Sequence, residues 1–292
     1  KAWLLNYTNP MAMLTGALLR STSIRTVGLC HSVQVCAPEL CARLDLPTDD
    51  LQWKIAGINH QAWLLEISRR GEDLYPEIKR RAFLDAYNPR DAVRFEIMKH
   101  FGYYVTESSE HSAEYVPWFI KARAPELIDR FHIPLDEYPR RCEAQIAGWA
   151  ALREELVADA PLSHGRTHEY ASYILEALET GVPFVFGGNV ANTGLITNLP
   201  QGACVEVLCV AGRGSIAPTW VGALPPQCAA LNQTNINVQQ LTIEAALTRR
   251  KEHVYQAALL DPHTAAELTI DETIALCDAL FEAHEAWIPS YD

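Results

Sequence analysis

Three short segments of the sequence concentrate side chains that bind metals or transfer protons: Gly28–Gln34, Gly57–Trp63 and Thr106–Trp118. The first places Cys30 directly before His31. The second places Asn59 directly before His60. Thiolate and imidazole are ligands of borderline-soft divalent metals, and an imidazole also exchanges protons near neutral pH. These residue types therefore indicate metal-assisted acid–base chemistry.

The third segment adds carboxylates to this set. Glu107, Glu110 and Glu114 are spaced three and four residues apart and surround His111. The same spacing is typical of a solvated helix face, so the carboxylates have a structural explanation as well as a catalytic one. Cys30 and Asn9 also have structural explanations. An isolated cysteine is commonly a small buried side chain, and Asn-Pro pairs are common in turns.

The elements that position these residues begin with a strand, a helix and a second strand. Ala2–Asn6 and Arg25–Cys30 are short apolar runs, and Met11–Leu19 between them has helical spacing. Such alternation predicts parallel strands joined by a right-handed crossover, with ligands collecting at the carboxyl ends of the strands. Asn9 and Cys30 lie at these predicted ends.

Periodicity and turn residues predict the other elements. Further strands are expected at Gln52–Ile58, Ala62–Ser68, Phe184–Gly187, Cys204–Val210 and Ala217–Val221. Further helices are expected at Ser32–Leu44, Arg90–Phe101, Pro125–Arg130, Leu135–Ala158, His168–Thr180, Pro226–Leu260 and Ile270–Ala286. The sequence shows no internal repeat, so we expect one continuous catalytic unit.

Composition excludes several classes of function. A net charge of −12 disfavours nucleic acid as a partner, because phosphate binding depends on clustered lysine and arginine. The hydrophobic fraction of 49% is typical of a folded globular chain, yet no apolar run approaches the length of a membrane-spanning helix. The eight cysteines form no Cys-x-x-Cys pair, which favours a reducing cytoplasm. We expect a cytoplasmic protein without a membrane anchor.

The three segments resemble the signature segments of glycoside hydrolase family 4, and among its members the bacterial α-galactosidases are most similar. The resemblance continues through Leu135–Cys142, Asn198–Gly202, Ala229–Asn232, Thr234–Gln239 and Asp261–Ala266. It implies an α/β fold, in which the remnant of a Rossmann-type parallel sheet precedes a mixed α+β catalytic domain of the lactate dehydrogenase C-terminal type. Residues 1–31 would end the dinucleotide-binding domain and residues 32–292 would form the catalytic domain. The sequence holds no GxGxxG turn, so we expect the dinucleotide site to lie mostly outside this chain.

The resemblance also assigns roles to individual residues. Cys30 and His60 would ligate a divalent metal, usually Mn²⁺. Asn9 would contact substrate and cofactor, and Asn59 would contact substrate. His31 stands where relatives acting on 6-phospho sugars have an acidic aspartate, so it would donate the proton to the leaving oxygen and the sugar would be unphosphorylated. The general base would be His111, with Tyr115 and Glu110 as the alternatives.

The mechanism that the family implies differs from that of ordinary glycosidases, which use two opposed carboxylates. NAD would oxidise the sugar at C3, the base would remove the C2 proton, and the glycosidic bond would break by elimination. Water addition and return of the hydride would complete hydrolysis of an α-galactoside, with NAD and Mn²⁺ as cofactors. We also expect a homo-oligomer, since relatives associate as dimers or tetramers.

Other interpretations stay open at this point. An α-galacturonide or α-glucuronide substrate would need a cation for its carboxylate, and Arg94, Lys121 and Arg130 are the candidates. The chain could instead be an inactive sugar-binding module without a nucleotide domain. A dehydrogenase acting on a 2-hydroxy acid would share the strand-helix-strand opening, but it would have no use for a metal held by Cys30 and His60.

Overall fold

The computed structural model describes residues 2–84, 86–87, 89, 91–158, 161, 165 and 169–292. Its strands are β1 (Trp3–Asn6), β2 (Arg25–Gly28), β3 (Leu51–Ile58), β4 (Gln61–Arg69), β5 (Glu72–Asp73), β6 (Tyr104–Val105), β7 (Phe184–Ala191), β8 (Cys204–Gly212) and β9 (Ser215–Pro218). They form one sheet in the order β1-β2-β7-β8-β3-β4-β5, and β6 and β9 pair with β4 and β8.

Helices alternate with the strands along the chain and pack against the sheet. They are α1 (Met11–Ser21), α2 (His31–Arg43), α3 (Tyr75–Ala82), α4 (Ala92–Phe101), α5 (Ser109–Glu114), α6 (Glu126–Arg130), α7 (Glu137–Val157), α8 (Ala171–Thr180), α9 (Pro226–Thr248), α10 (Lys251–Leu260), α11 (Pro262–Glu267) and α12 (Ile270–Ala283). Within the described ranges, none of these helices is both long enough and apolar enough to cross a bilayer.

The opening of the chain forms the predicted parallel unit. Strands β1 and β2 are parallel, with Asn6 opposite Gly28, and α1 connects them. Gly28 allows α1 to approach closely, because a Cβ there would lie 2.3 Å from the Met11 sulfur. The other strand pairs that the structure describes are antiparallel. This parallel start followed by a mixed sheet confirms the predicted fold class.

Two of the predicted elements differ from the structure. The predicted helix Pro226–Leu260 is two helices, α9 and α10, because Arg249 adopts a left-handed backbone with φ 62° and ends the first of them. The strand predicted at Ala217–Val221 lies earlier in the chain in the structure, since β9 runs from Ser215 to Pro218. The predicted helix starts at Arg90 and His168 lie outside the described residues, and α4 and α8 begin at the bounds given above.

Two apolar clusters hold the sheet to its helices. The larger includes Val27, Trp63 and Phe186, and the smaller packs α2 against β3 and β4 through residues such as Leu40 and Leu64. Residues on both sides of the predicted boundary at 31/32 contribute to the larger cluster, since Val27 and Trp63 belong to it. The division into two domains therefore stays a prediction.

Candidate active site and metal centre

Cys30 lies between the end of β2 and the first turn of α2, where it is the N-cap residue. Its sulfur shares a hydrogen bond of 3.1 Å with the Ser32 hydroxyl. Burial, together with the negative charge of Glu206, raises the pKa of this thiol to about 12. Metal binding must therefore displace the thiol proton, as is general for cysteine ligands.

His60 is the second residue of the two-residue turn that joins β3 to β4, and its backbone is left-handed with φ 62°. Asn59 precedes it, and polar residues of this kind are common in such turns. Burial lowers the pKa of the His60 imidazole, with an opposing contribution from Glu107. The neutral form that this favours is the form that ligates metals.

Glu107 brings a carboxylate to the same place. The preceding residue, Thr106, anchors the segment to β4, since the Ala62 amide donates to the Thr106 hydroxyl at 3.1 Å and the Thr106 amide donates to the Ala62 carbonyl at 2.8 Å. Glu107 itself has a left-handed backbone with φ 74°, a strained conformation that is enriched at functional sites.

These three segments create one cluster of donor atoms. A thiol sulfur, an imidazole nitrogen and a carboxylate oxygen, from Cys30, His60 and Glu107, all lie within 4.8 Å of one another. The structure thus brings together the two predicted ligands and adds a third, Glu107, for which the sequence left a solvated helix face and a catalytic role as alternatives. No local pattern identifies Glu107, because its position depends on the anchoring of Thr106 to β4.

A cleft of about 560 Å³ opens beside this cluster. It is lined by Asn9, Pro10, Met11, Ala12, Met13, Asn59, His60, Glu110, His111, Glu114, Tyr115, Glu137, Tyr138, Arg141 and Gln239. Asn59 is 3% exposed, and its Nδ2 donor has no partner among the described residues. An unsatisfied buried donor is costly, so the cleft provides a place where a polar ligand would be stabilised.

Three candidates for the general base line the cleft. His111 lies on α5 and stacks on the His60 ring with 5.1 Å between centroids. Its Nδ1 lies 3.4 Å from a carboxylate oxygen of Glu114, which raises the pKa of the imidazole. Tyr115 and Glu110 both have a pKa raised by burial, which keeps the phenol of Tyr115 protonated. The geometry favours His111, and the assignment of the base stays a prediction.

The predicted acid, His31, lies in a neighbouring aromatic environment. Its ring stacks on Tyr7 at 5.1 Å, and its Nε2 lies 2.8 Å from an oxygen of Glu169. Burial raises the pKa of Tyr7 to about 12, so this phenol is neutral. His31 is next to Cys30 in the chain but is not among the residues that line the cleft. Its role as the acid stays a prediction.

Polar residues of α9 hold the β3–β4 turn and α5 in place. The Asn232 amide donates to the Gln61 carbonyl at 2.7 Å and accepts from the Trp63 indole at 3.2 Å. The Asn235 amide donates to the Gln61 side chain and to the Tyr115 carbonyl, both at 3.2 Å. This buried network fixes the orientation of two walls of the cleft.

Glu206 is a fully buried carboxyl that sequence reasoning missed. It lies on β8, where Asn189 of β7 is its cross-strand partner and donates to it through Nδ2 at 2.7 Å. The second carboxyl oxygen of Glu206 and the amide oxygen of Asn189 have no donor in the described part of the chain. Burial raises the pKa of Glu206 to about 8, and a proton on this carboxyl would provide the missing donor.

We expect Glu206→Gln to stabilise the protein at alkaline pH. The folded state binds more protons than the unfolded state between the ordinary pKa of 4.5 and the raised pKa of about 8, so stability falls as pH rises through this range. The glutamine has no charge to bury and should gain roughly 2–4 kcal/mol over the parent at pH 8, but much less at pH 5. Urea unfolding at both pH values measures this difference.

The matched control is Glu66→Gln, which changes an exposed glutamate on β4. Its effect on unfolding should be small at both pH values. Identical pH dependence of unfolding in the parent and in Glu206→Gln would show that Glu206 does not titrate in this range.

Comparison with known proteins identifies the family. Residues 55–264 match the family 4 glycosyl hydrolase C-terminal domain, and residues 1–46 match the family 4 glycosyl hydrolases. The chain belongs to glycosyl hydrolase family 4. The resemblance noted in its motifs is thereby confirmed.

Curated family 4 relatives include two α-galactosidases. That of Bacillus subtilis (strain 168) is 61% identical over 99% of this chain and 67% of its own length. That of Rhizobium meliloti (strain 1021) is 34% identical over 98% of this chain and 61% of its own length. An α-galacturonidase of Lachnoclostridium phytofermentans is 27% identical over 99% of this chain and 67% of its own length. The chain thus spans about two thirds of the length of these relatives.

Solved family 4 structures share the fold. A Bacillus subtilis protein described as a glucosidase, lplD, is 26% identical with a TM-score of 0.82, over 96% of this chain and 68% of its own. A 6-phospho-α-glucosidase from gut microorganisms, solved in complex with NAD and Mn²⁺, is 22% identical with a TM-score of 0.75, over 100% of this chain and 69% of its own.

Proposed function

We propose that the protein hydrolyses α-galactosides and that it depends on NAD and Mn²⁺. The observation that carries the proposal is the convergence of Cys30, His60 and Glu107 beside a polar cleft. It occurs in a chain that is 61% identical to an α-galactosidase. The solved relative with NAD and Mn²⁺ supports the choice of cofactors.

The donor set suits a divalent cation. Cys30, His60 and Glu107 would hold it, and a thiolate, an imidazole and a carboxylate are all established metal ligands. Affinity alone would favour zinc or iron over manganese, so metal availability and ligands from the substrate would decide the occupant. Bound manganese would supply positive charge that stabilises negative charge on substrate oxygens, and bound NAD would supply reversible hydride transfer.

The residues of this chain would position the sugar and move its protons. The unpartnered Nδ2 of Asn59 would donate to a sugar hydroxyl, and Asn9, which also lines the cleft, would contact the sugar. His111, whose Nδ1 lies 3.4 Å from the Glu114 carboxylate, would accept the C2 proton. His31 would deliver a proton to the leaving oxygen, with Glu169 holding its Nε2. The carboxylates of Glu107 and Glu114 on either side of His111 would favour the protonated imidazole that results.

A second candidate substrate is an α-galacturonide, and one observation favours it. Arg141 lines the cleft and would be available to a sugar carboxylate, although it pairs with Glu137 at 2.6 Å. None of the cations considered from the sequence lies among the cleft residues. Arg94 is buried against Asp91, Lys121 pairs with Glu267, and Arg130 lies over the Phe131 ring. The sequence identity is 61% to an α-galactosidase and 27% to an α-galacturonidase, so an α-galactoside is the first candidate substrate.

Side-by-side hydrolysis of p-nitrophenyl α-galactoside and p-nitrophenyl α-galacturonide by the complete protein tests this proposal. With NAD, Mn²⁺ and a thiol reductant present, we expect kcat/KM to be higher for the galactoside. Arg141→Gln should leave this order unchanged. A higher value for the galacturonide that is lost in Arg141→Gln would establish the second candidate instead.

Chelation is the control in the same assay. EDTA should abolish turnover and added Mn²⁺ should restore it, whereas a metal-independent dehydrogenase would release no p-nitrophenol from either glycoside. An absence of turnover under all these conditions, with NAD binding also absent, would favour an inactive sugar-binding module.

A further inference from the structure

Asp91 is a buried carboxylate that is not among the cleft residues and that joins four elements of the fold. It is 1% exposed and directly precedes α4. The Arg94 Nε donates to its Oδ1 at 2.7 Å, and the Arg43 Nη1 donates to its Oδ2 at 3.5 Å. The Ser109 hydroxyl donates to Oδ1 at 2.6 Å, and the Tyr104 hydroxyl donates to Oδ2. One carboxylate therefore links α2, α4, β6 and α5.

Burial of this carboxylate beside Arg94 is not explained by stability alone. Arg94 is 5% exposed, and removing two opposite charges from water costs free energy that their attraction often only offsets. An apolar pair of similar volume is commonly as stable. Charged hydrogen bonds add direction, because they are short and strong and fix the groups that donate them. The arrangement therefore favours a role for Asp91 in fixing the positions of its donors.

Two of these donors lie on either side of Glu107 in the chain. Tyr104 is three residues before it, and Ser109 is two residues after it. The span between them contains Thr106, which is anchored to β4, and Glu107 with its left-handed φ of 74°. A glutamate adopts this backbone conformation only where surrounding contacts hold it, because its Cβ makes the conformation unfavourable. Asp91 provides such contacts at both ends of the span.

We propose that Asp91 is a positioning residue for the candidate metal site. By accepting from hydroxyls at both ends of residues 104–109, it fixes the backbone that directs the Glu107 carboxylate toward the other two donors of the cluster. The anchoring of Thr106 to β4 fixes only the start of this turn, whereas the bond from Ser109 to Asp91 fixes its end at the first residue of α5. The inference rests on the proposed function, because the fixed carboxylate acts as a ligand only if the metal site exists.

Manganese affinity of the complete protein measures this role without reference to turnover. Ser109→Ala removes one hydroxyl from the carboxylate and leaves the buried pair of Asp91 and Arg94 intact, so the fold should survive. We expect the Kd for Mn²⁺, measured by electron paramagnetic resonance of the free ion, to rise by about 10-fold, as is usual when a metal ligand loses its orienting contacts. Ser109→Thr keeps the hydroxyl and should bind Mn²⁺ like the parent. Ser21→Ala removes an exposed hydroxyl that bonds within α1, and it is the matched control.

A double-substitution cycle separates the positioning of Glu107 from a general loss of structure. Glu107→Gln alone should weaken Mn²⁺ binding, because it removes the ligand charge. In that background Ser109→Ala should raise the Kd by less than about twofold, since the ligand that it positions is already lost. An equal loss of affinity from Ser109→Ala in both backgrounds, or no loss in either, would overturn the proposal.

Amide hydrogen exchange in the presence of EDTA tests the same contact independently of the metal. Exchange at residues 106–112 should be faster in Ser109→Ala than in the parent, while exchange in β3 and β8 stays the same. Unchanged exchange at residues 106–112 would overturn the proposal whether or not Mn²⁺ binds. Faster exchange there, in a protein whose parent form binds no Mn²⁺, would confirm that Asp91 holds the segment and would contradict the proposed function instead.

Discussion

Replacing Cys30 with serine should remove both manganese and activity from the protein. The serine hydroxyl is a much weaker ligand than a thiolate, and the remaining donors, His60 and Glu107, would not hold the cation tightly. Loss of several kcal/mol of charge stabilisation lowers kcat/KM on an α-galactoside by about 1,000-fold. Metal analysis of the purified variant and steady-state kinetics with added Mn²⁺ measure the two effects together.

The matched control for this experiment is Cys277→Ser on α12, which makes the same atomic change outside the site. It should keep both the metal and the activity. Far-UV circular dichroism of Cys30→Ser should match that of the parent, because the thiol packs at a helix end rather than in the centre of an apolar cluster. A serine variant with normal activity and no added metal would exclude Cys30 as a ligand, and lost activity with full manganese would assign it another role.

Replacing His111 with alanine should stop exchange of the substrate C2 proton with solvent. The imidazole is the candidate base that both lines the cleft and has a carboxylate partner, Glu114, to stabilise its protonated form. Loss of a general base lowers the rate by about 100- to 10,000-fold. Incubation in deuterated water, followed by mass or NMR analysis of the recovered substrate and product, measures the exchange.

Tyr115→Phe and Glu110→Gln are the companion variants, since these residues are the alternatives for the base. Both should retain exchange at a rate near that of the parent. Manganese content must be unchanged in His111→Ala, because the His111 ring stacks on His60 and its removal could otherwise act through the metal. Undiminished exchange in His111→Ala, with loss in one of the companions, would transfer the role to that residue.

The parts of the fold that the sequence predicts well are those with strong periodicity. The strand-helix-strand opening and the strands at β3 and β4 depend on local apolar patterns, and the structure confirms them. The short helices α3 and α11 were missed because they are polar and few residues long. The break at Arg249 was missed because a left-handed arginine interrupts an otherwise continuous helical pattern that contains no glycine or proline at that point.

The candidate site shows the same division between local and long-range information. Cys30 and His60 draw attention through residue type and through their positions at a strand end and a turn, and the family resemblance implies their role as ligands. The sequence does not single out Glu107 or Glu206, because a glutamate is ordinarily exposed to solvent. Only tertiary contacts bring these two carboxyl groups into the interior of the protein. For Glu107 the contact is the anchoring of Thr106 to β4, and for Glu206 it is burial opposite Asn189.

The central claim is that one divalent cation binds between Cys30, His60 and the cleft. Anomalous X-ray scattering at the manganese edge, from crystals of the protein grown with Mn²⁺, locates that cation directly. We expect a single strong peak at bonding distance from both the Cys30 sulfur and a ring nitrogen of His60, with Glu107 beside it. A manganese peak elsewhere, or none near these two side chains in crystals of active protein, would contradict it.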